Sequence, residues 1–511
     1  MGSDDRACTG HGRGHLRARP RFRRFARGAR GGTRDLSASA DNRHRGGHAT
    51  AQSGVEPGGC AGTSGRWRPR DMVTEFQPEG ACVAASVRGA ERRTTKGVRV
   101  TDSIASALIQ GSQNRSGNDP IFSLNAEAAS RSAAGESILN ATLGVLMNDA
   151  GKLAVMPSVS EALQRVPLER AAAYSPIAGA AGFLSATISD LFDDGPLAAQ
   201  SISAATPGGT GAIHHAVVNF LEPGQSALTS SYYWGPYGVI TGHSGRGVDT
   251  FHMFGEDGRL DLDAMAIGID RHIDQQGRAL LLLNFPCHNP TGYSLDESEW
   301  VGVAEVIRMA GERAPVATVL DCAYLRFQDP ESDHWLHAIE TMLESGTVLV
   351  AWTASKTFAQ YGARIGALIA MHRDADERVR LTNALSYSCR ATWSNCNHLG
   401  QLAIAELLTD PDLKGRADSE RDGLIEMLRG RVAVFNEGAA AAGLDLPRYE
   451  GGFFVAVFTP DGEETAEAMR AEGVYVVPME GAVRVALCAT PEAQVPRIVE
   501  ALRIGVAAAA S

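Results

Sequence analysis

Lys356 stands between two apolar runs, 348–352 (VLVAW) and 365–370 (IGALIA), with Arg364 eight residues further on. Shutting in an ammonium without a partner is costly, because desolvation disfavours the charged form and drives its pKa down. The position therefore asks for a chemical use. Gly208, Gly209, Thr210 and Gly211 come immediately before a helical pattern. Backbone N–H groups at such a helix start can hold a phosphate, with the Thr210 hydroxyl as a further donor; the same glycines serve equally as a structural turn. Asn289 follows an apolar run in a turn made by Pro290 and Gly292, and Asp321 ends another run with Tyr324 three residues later. A buried Asp needs a cationic or N–H partner, unless it only caps the segment that follows.

The elements that must hold these residues are short and apolar. The runs 279–285, 316–321, 347–352 and 366–370 are continuous, which suits strands buried on both faces. Between 151 and 375 they alternate with amphipathic stretches, predicting an α/β fold with a mainly parallel central sheet flanked by helices. The polar residues stand at the ends of the runs, where an open α/β sheet places its ligand site. A helical region at 377–443 follows, and then GGFFVAVF, VYVVP and AVRVALCA, which read as strands of a smaller α+β domain. The division is a leader at 1–100, a segment at 101–150 that joins the small domain, a large domain at 151–375 and the remainder of the small domain at 376–511.

Charge is unevenly spread. Residues 1–71 hold 15 Arg, no Lys and six acids, while the whole chain carries −11, so the acidic excess lies entirely in 72–511. The leader is rich in Gly, Arg, His and Ser and cannot bury enough apolar surface to offset its ordering entropy, so it is expected to be disordered and to precede the true start of the folded protein. A nucleic-acid arm or a transit peptide is the other reading of so much arginine. The eight cysteines lack a C-x-x-C pair or a regular framework. Reduced thiols in a cytoplasmic protein are expected, with no metal. No run of about 18 uncharged apolar residues occurs, so no membrane span is expected.

Taken together, NPTG at 289–292, DCAY at 321–324 and SKTFAQYGARIG at 355–366 resemble the class I aminotransferases, pyridoxal-phosphate enzymes of fold type I, in particular the aspartate and aromatic amino acid subgroup. The resemblance spans roughly 105–505. It implies that Lys356 is the lysine that holds the cofactor as a Schiff base and, once released, moves the substrate's Cα proton. It further implies that Asp321 pairs with the pyridine nitrogen, that Asn289 and Tyr324 bond the ring's phenolic oxygen, and that Trp234 stacks on the ring. Gly208, Gly209, Thr210, Thr353 and Arg364 fall at the phosphate, and Tyr174 matches a tyrosine that reaches the phosphate of a neighbouring subunit. Arg484 resembles the arginine that grips the substrate α-carboxylate, Gly144 a backbone position beside the substrate, and Arg390 an arginine that binds a distal carboxylate from the other subunit.

These implications amount to a homodimeric, cytoplasmic transaminase acting by a ping-pong mechanism on aspartate, glutamate or aromatic amino acids and on 2-oxo acids, without nucleic-acid or membrane partners. Two positions depart from the aspartate enzymes: 394–397 read SNCN where SNPP is common, and Tyr237 stands where they carry histidine. Both bear on substrate preference. The same lysine and aspartate also serve lyases and decarboxylases of this fold. A ligand-sensing regulator is a further alternative, opposed by the acidic charge of 72–511 and the lack of a helix-turn-helix pattern in 1–100.

Overall fold

The computed structural model describes residues 106–117, 119–328 and 332–511; the leader expected at 1–100 lies outside them, as do Cys8, Cys60 and Cys82. The apolar runs become strands. In chain order these are β1 (Leu139–Asn140), β2 (Ser201–Thr206), β3 (Ser226–Ser230), β4 (Gly247–Phe251), β5 (Ala279–Leu283), β6 (Val316–Asp321), β7 (Thr347–Thr353), β8 (Gly366–Met371), β9 (Phe454–Phe458), β10 (Val474–Tyr475), β11 (Val477–Met479) and β12 (Ala482–Ala486).

A seven-stranded sheet has the order β2-β8-β7-β6-β5-β3-β4. Neighbours pair parallel except around β8, which is antiparallel to both β2 and β7. The other strands therefore finish at one edge, and β8 begins there. Every residue of β5, β6 and β8 is buried. Because side chains alternate faces with period two, Leu281, Leu283, Val348 and Val350 pack on one side with the helices Glu297–Gly311 and His334–Met342. Leu280, Leu282, Leu349 and Ala351 pack on the other with the helices Gly208–Phe220 and Ala375–Thr392. Each fully buried aliphatic side chain contributes about 1.5–3 kcal/mol, and a one-residue slip would exchange the two faces. Strand ends are thus held in fixed register, with Thr206, Gly366 and Thr353 side by side.

A smaller antiparallel sheet, β11-β12-β9, packs with the helices Pro411–Ala442 and Val495–Ala509 around a second core. The run VYVVP does not form the single strand its pattern predicts. It divides at Val476 into β10, which pairs parallel with β1, and β11, which pairs antiparallel with β12. That change of partner carries the strip after β1 across the small sheet, where Ala486 N–H donates to Ala141 C=O at 2.9 Å.

Cys287, Cys322, Cys389, Cys396 and Cys488 are free thiols. Among the described residues no helix is long and apolar enough to cross a membrane. No group of three or more His, Cys, Asp or Glu among them could hold a metal ion.

Candidate active site

The ends of five parallel strands and the start of β8 converge on a pocket with about 560 Å³ of empty space, lined by Gly209, Thr210, Trp234, Asn289, Asp321, Tyr324, Thr353, Lys356 and Arg364, together with Asn284, Ala323 and Ser355. Lys356 follows β7 in a single helical turn, Ala354–Thr357, whose start is capped by the Thr353 hydroxyl accepting from Ser355 N–H at 3.2 Å. Its Nζ donates to Gly144 C=O at 3.2 Å and lies 4.7 Å from the Tyr361 ring centre. Burial, opposed in part by neighbouring Cys488 and Asp321, pushes the Lys356 amine down to about 8.

Asp321 ends β6 and is buried. Its carboxylate accepts from the Tyr237 hydroxyl at 2.8 Å and from Ala323 N–H, yet burial still raises it to about 6. Asn284 fastens this strand end to the next: its Nδ2 donates to Asp321 C=O at 2.9 Å and its Oδ1 accepts from Asn289 N–H at 2.7 Å. Asn289 Nδ2 in turn donates to the Tyr324 hydroxyl at 3.4 Å. Burial holds the Tyr324 phenol well above its usual range, so it is a neutral donor at physiological pH.

At the opposite end of the pocket the helix Gly208–Phe220 presents its N-terminus beside Arg364. Gly208 has φ +71°, and a Cβ there would run into the Arg364 guanidinium, so only glycine permits the approach. Arg364 donates to Tyr361 C=O at 2.9 Å, to Pro207 C=O at 3.2 Å and to Ser355 Oγ at 3.4 Å. A helix start, hydroxyls and a guanidinium together make an anion site.

Arg484, in β12, is buried, with its guanidinium 4.4 Å from the Phe454 ring centre. It donates to Thr142 C=O at 2.7 Å and Asn289 Oδ1 at 3.4 Å, and its Nε is buried without a partner. Gly144 lies against the same Phe454 ring, which a Cβ would strike. Lys356, Arg364 and Arg484 thus donate to carbonyls, a hydroxyl and an amide, and none to a carboxylate.

Of the predicted residues, Gly208, Gly144 and Arg484 adjoin lining residues without lining the pocket themselves, and Tyr174 and Arg390 do neither. Tyr174 is 90% exposed. Arg390 lies at the end of the helix Ala375–Thr392, exposed, with Nη1 donating to Ser394 Oγ at 2.6 Å. The departures from the aspartate pattern have structural partners: Cys396 Sγ donates to Ala205 C=O at 3.3 Å, Asn397 caps the helix His398–Thr409, and Tyr237 holds Asp321. Asn284, Ser355, Ala323 and Tyr361 escaped the sequence reading. Asn284 was visible as a polar residue closing an apolar run; Tyr361 comes to Lys356 through a turn with left-handed Ala359, which no spacing announces.

The donor set fits pyridoxal phosphate: an anion site, an amine of lowered pKa, and a buried carboxylate whose raised pKa marks the want of a cation. The comparisons agree. The model of the family "Aminotransferase class I and II" matches residues 137–502. An aromatic-amino-acid aminotransferase of Pseudomonas aeruginosa is 33% identical over 241 residues, 46% of this chain, which there spans 57% of that relative's length. An aspartate aminotransferase of the same organism is 25% identical over 379 residues, 70% of this chain and 90% of the relative. A crystal structure of an aminotransferase from Anaerococcus prevotii superposes with a TM-score of 0.73 at 30% identity, covering 79% of this chain and 100% of the other. On the family match and the pocket together, the chain belongs to the class I and II aminotransferases, and the pocket's donor set is that of a pyridoxal phosphate site.

Proposed function

We propose that the chain transfers amino groups from aromatic and dicarboxylic amino acids to 2-oxo acids, 2-oxoglutarate among them, in two half-reactions of a ping-pong cycle. The observation that carries this reading is the charge pattern of the pocket and of Arg484 bonded to its lining residue Asn289: a buried carboxylate lacking a cation, and Lys356, Arg364 and Arg484 lacking carboxylates. Pyridoxal phosphate, when bound, supplies an electron-accepting ring that weakens the bond between substrate Cα and its proton.

The chain's own residues do the rest. Asp321 keeps the ring nitrogen charged, Asn289 and Tyr324 bond its phenolic oxygen, and Trp234 covers its face. Gly208, Gly209, Thr210, Thr353 and Arg364 hold the phosphate, joined by Tyr174 from a second copy of the chain. Lys356 anchors the cofactor at rest. Once free, its amine, lowered to about 8 by burial, takes and returns the proton at the substrate Cα. Arg484 receives the α-carboxylate with its unpartnered Nε among the donors, beside the Gly144 backbone. Arg390 of the second copy meets a distal carboxylate. The aromatic donors are supported by Phe454 and Tyr324 around Arg484 and Lys356, and by the substrates named for the Pseudomonas relatives.

A homodimer is supported by Leu168, Tyr174 and Tyr387, large side chains that are 82%, 90% and 78% exposed. A cytoplasmic setting is supported by the free thiols. We assign cofactor binding to a large domain at 151–375, with 101–150 and 376–511 forming the small one.

The test is a half-reaction panel that follows cofactor absorbance with single amino acids. Phenylalanine, tyrosine, aspartate and glutamate are expected to discharge it, with one oxo acid released per site and no ammonia. Ammonia or carbon dioxide release in place of that stoichiometry would overturn the reading in favour of a lyase or decarboxylase.

A further inference from the structure

Tyr361 belongs to none of the groups assigned above, yet it touches two of them, Lys356 and Arg364, and bonds Leu146 as well. It stands five residues after Lys356 and three before Arg364. Its hydroxyl accepts from Leu146 N–H at 2.9 Å, its ring centre is 4.7 Å from Lys356 Nζ, and its carbonyl accepts from Arg364 Nη1 at 2.9 Å. Its side chain packs against both the core of the large sheet and that of the small sheet. Leu146 lies on the strip that follows β1. The same strip offers Gly144 C=O to Lys356 and Thr142 C=O to Arg484, and it is tied to the small sheet through Ala141.

We propose that Tyr361 is a positioning residue that latches the strip 141–147 onto the cofactor-side loop, so that the amine of Lys356 and the guanidinium of Arg484 address one substrate from a common length of backbone. The ring and Gly144 C=O both meet the Lys356 amine, and the hydroxyl holds the strip that carries Gly144. Releasing the hydroxyl frees the strip while leaving the ring beneath the amine, so the two parts of the side chain have separable effects. The proposal rests on the reading of Lys356 as the cofactor's lysine, and the experiment below tests that reading on its own.

The experiment uses the full chain loaded with cofactor, as wild type, Tyr361→Phe and Tyr361→Leu. Borohydride reduction and peptide mapping report whether the cofactor is attached at Lys356, whatever the state of the latch. Amide exchange read on peptides spanning Leu146 reports the latch, whatever the chemistry at Lys356. Loss of one neutral hydrogen bond is expected to speed Leu146 exchange about ten-fold in Tyr361→Phe. In the same variant KM for phenylalanine and for glutamate should rise about ten-fold while kcat stays within about two-fold, because the ring is retained. Tyr361→Leu should show the same exchange and, in addition, a lower kcat with a displaced alkaline limb of its pH profile, because the ring on the amine is gone. Unchanged exchange at Leu146 in Tyr361→Phe, or equal loss in kcat and kcat/KM without a rise in KM, would overturn the latch.

Discussion

Glu299 and Asp321 are both buried carboxylates near the ends of neighbouring elements, and their surroundings differ in kind. Glu299 belongs to a capping box with Asp296 at the start of the helix Glu297–Gly311. Its oxygens accept from the Tyr293 hydroxyl at 2.6 Å, Leu260 N–H at 2.9 Å, Arg448 Nη2 at 2.9 Å and Asp296 N–H at 3.0 Å. Asp321 has a phenol and one N–H, and no cation bonded to it. A buried charge with all its partners is a device of the fold; one with partners missing is a place for a ligand. The peptide from Asn289 to Ser294 leads from one region to the other, so about one turn of chain separates a closed network from an open one.

The largest expected effect breaks the open region at its centre. Lys356→Ala should lower turnover by about 10⁴-fold or more, because the residue both anchors the cofactor and moves the proton. The cofactor-free protein should melt no lower, since burying that amine is a cost to the fold. Borohydride attachment of the cofactor at a lysine other than 356 would falsify the assignment.

Glu299→Ala breaks the closed region instead. It should cost roughly 2–5 kcal/mol of stability, because the buried Tyr293 hydroxyl and Leu260 N–H lose their acceptor. A shift of the denaturant midpoint measures this, and cofactor attachment at Lys356 should survive in the folded fraction. An unchanged midpoint would show that this closed network does not hold the fold together.

Asp321 also gives the open region a response to pH. Asp321 is raised from 3.8 to about 6 by burial. The folded protein therefore keeps this proton to higher pH than the unfolded chain does, so cofactor-free stability falls as pH rises from 3.8 to about 6 and stays lower above. The loss attached to this group is ~3 kcal/mol. Asp321→Asn should remove that slope and stabilise the cofactor-free protein at neutral pH while abolishing tight cofactor binding. An unchanged slope in the variant assigns it to another group.

The most selective effect separates two arginines. Arg484→Ala should cost roughly 2–5 kcal/mol in kcat/KM for every amino acid, since all carry an α-carboxylate. Arg390→Ala should do so only for aspartate and glutamate, leaving phenylalanine nearly unchanged. If the dicarboxylic-to-aromatic ratio of kcat/KM is the same in Arg390→Ala as in wild type, Arg390 is a surface charge bonded to Ser394.

The amino-acid sequence by itself determined the middle of the large sheet, β5 to β8, because residues buried on both faces must be apolar without interruption; β2, β3 and β4 carry polar residues and were not announced by such runs. It also located the chemistry at the ends of the apolar runs, because polar groups are tolerated only where the apolar stretch stops. Lys356, Asp321, Asn289 and Arg364 were legible for that reason, each within a few residues of a strand end. The tertiary structure alone decided what those residues meet. Tyr237 reaches Asp321 across 84 positions and Tyr361 reaches Leu146 across 215. VYVVP divides between two sheets because its partners, β1 and β12, come from opposite ends of the fold. Periodicity records which face of an element is buried, and burial is a property of the element. A hydrogen bond between distant side chains depends on how elements pack, and a single chain carries no local mark of it.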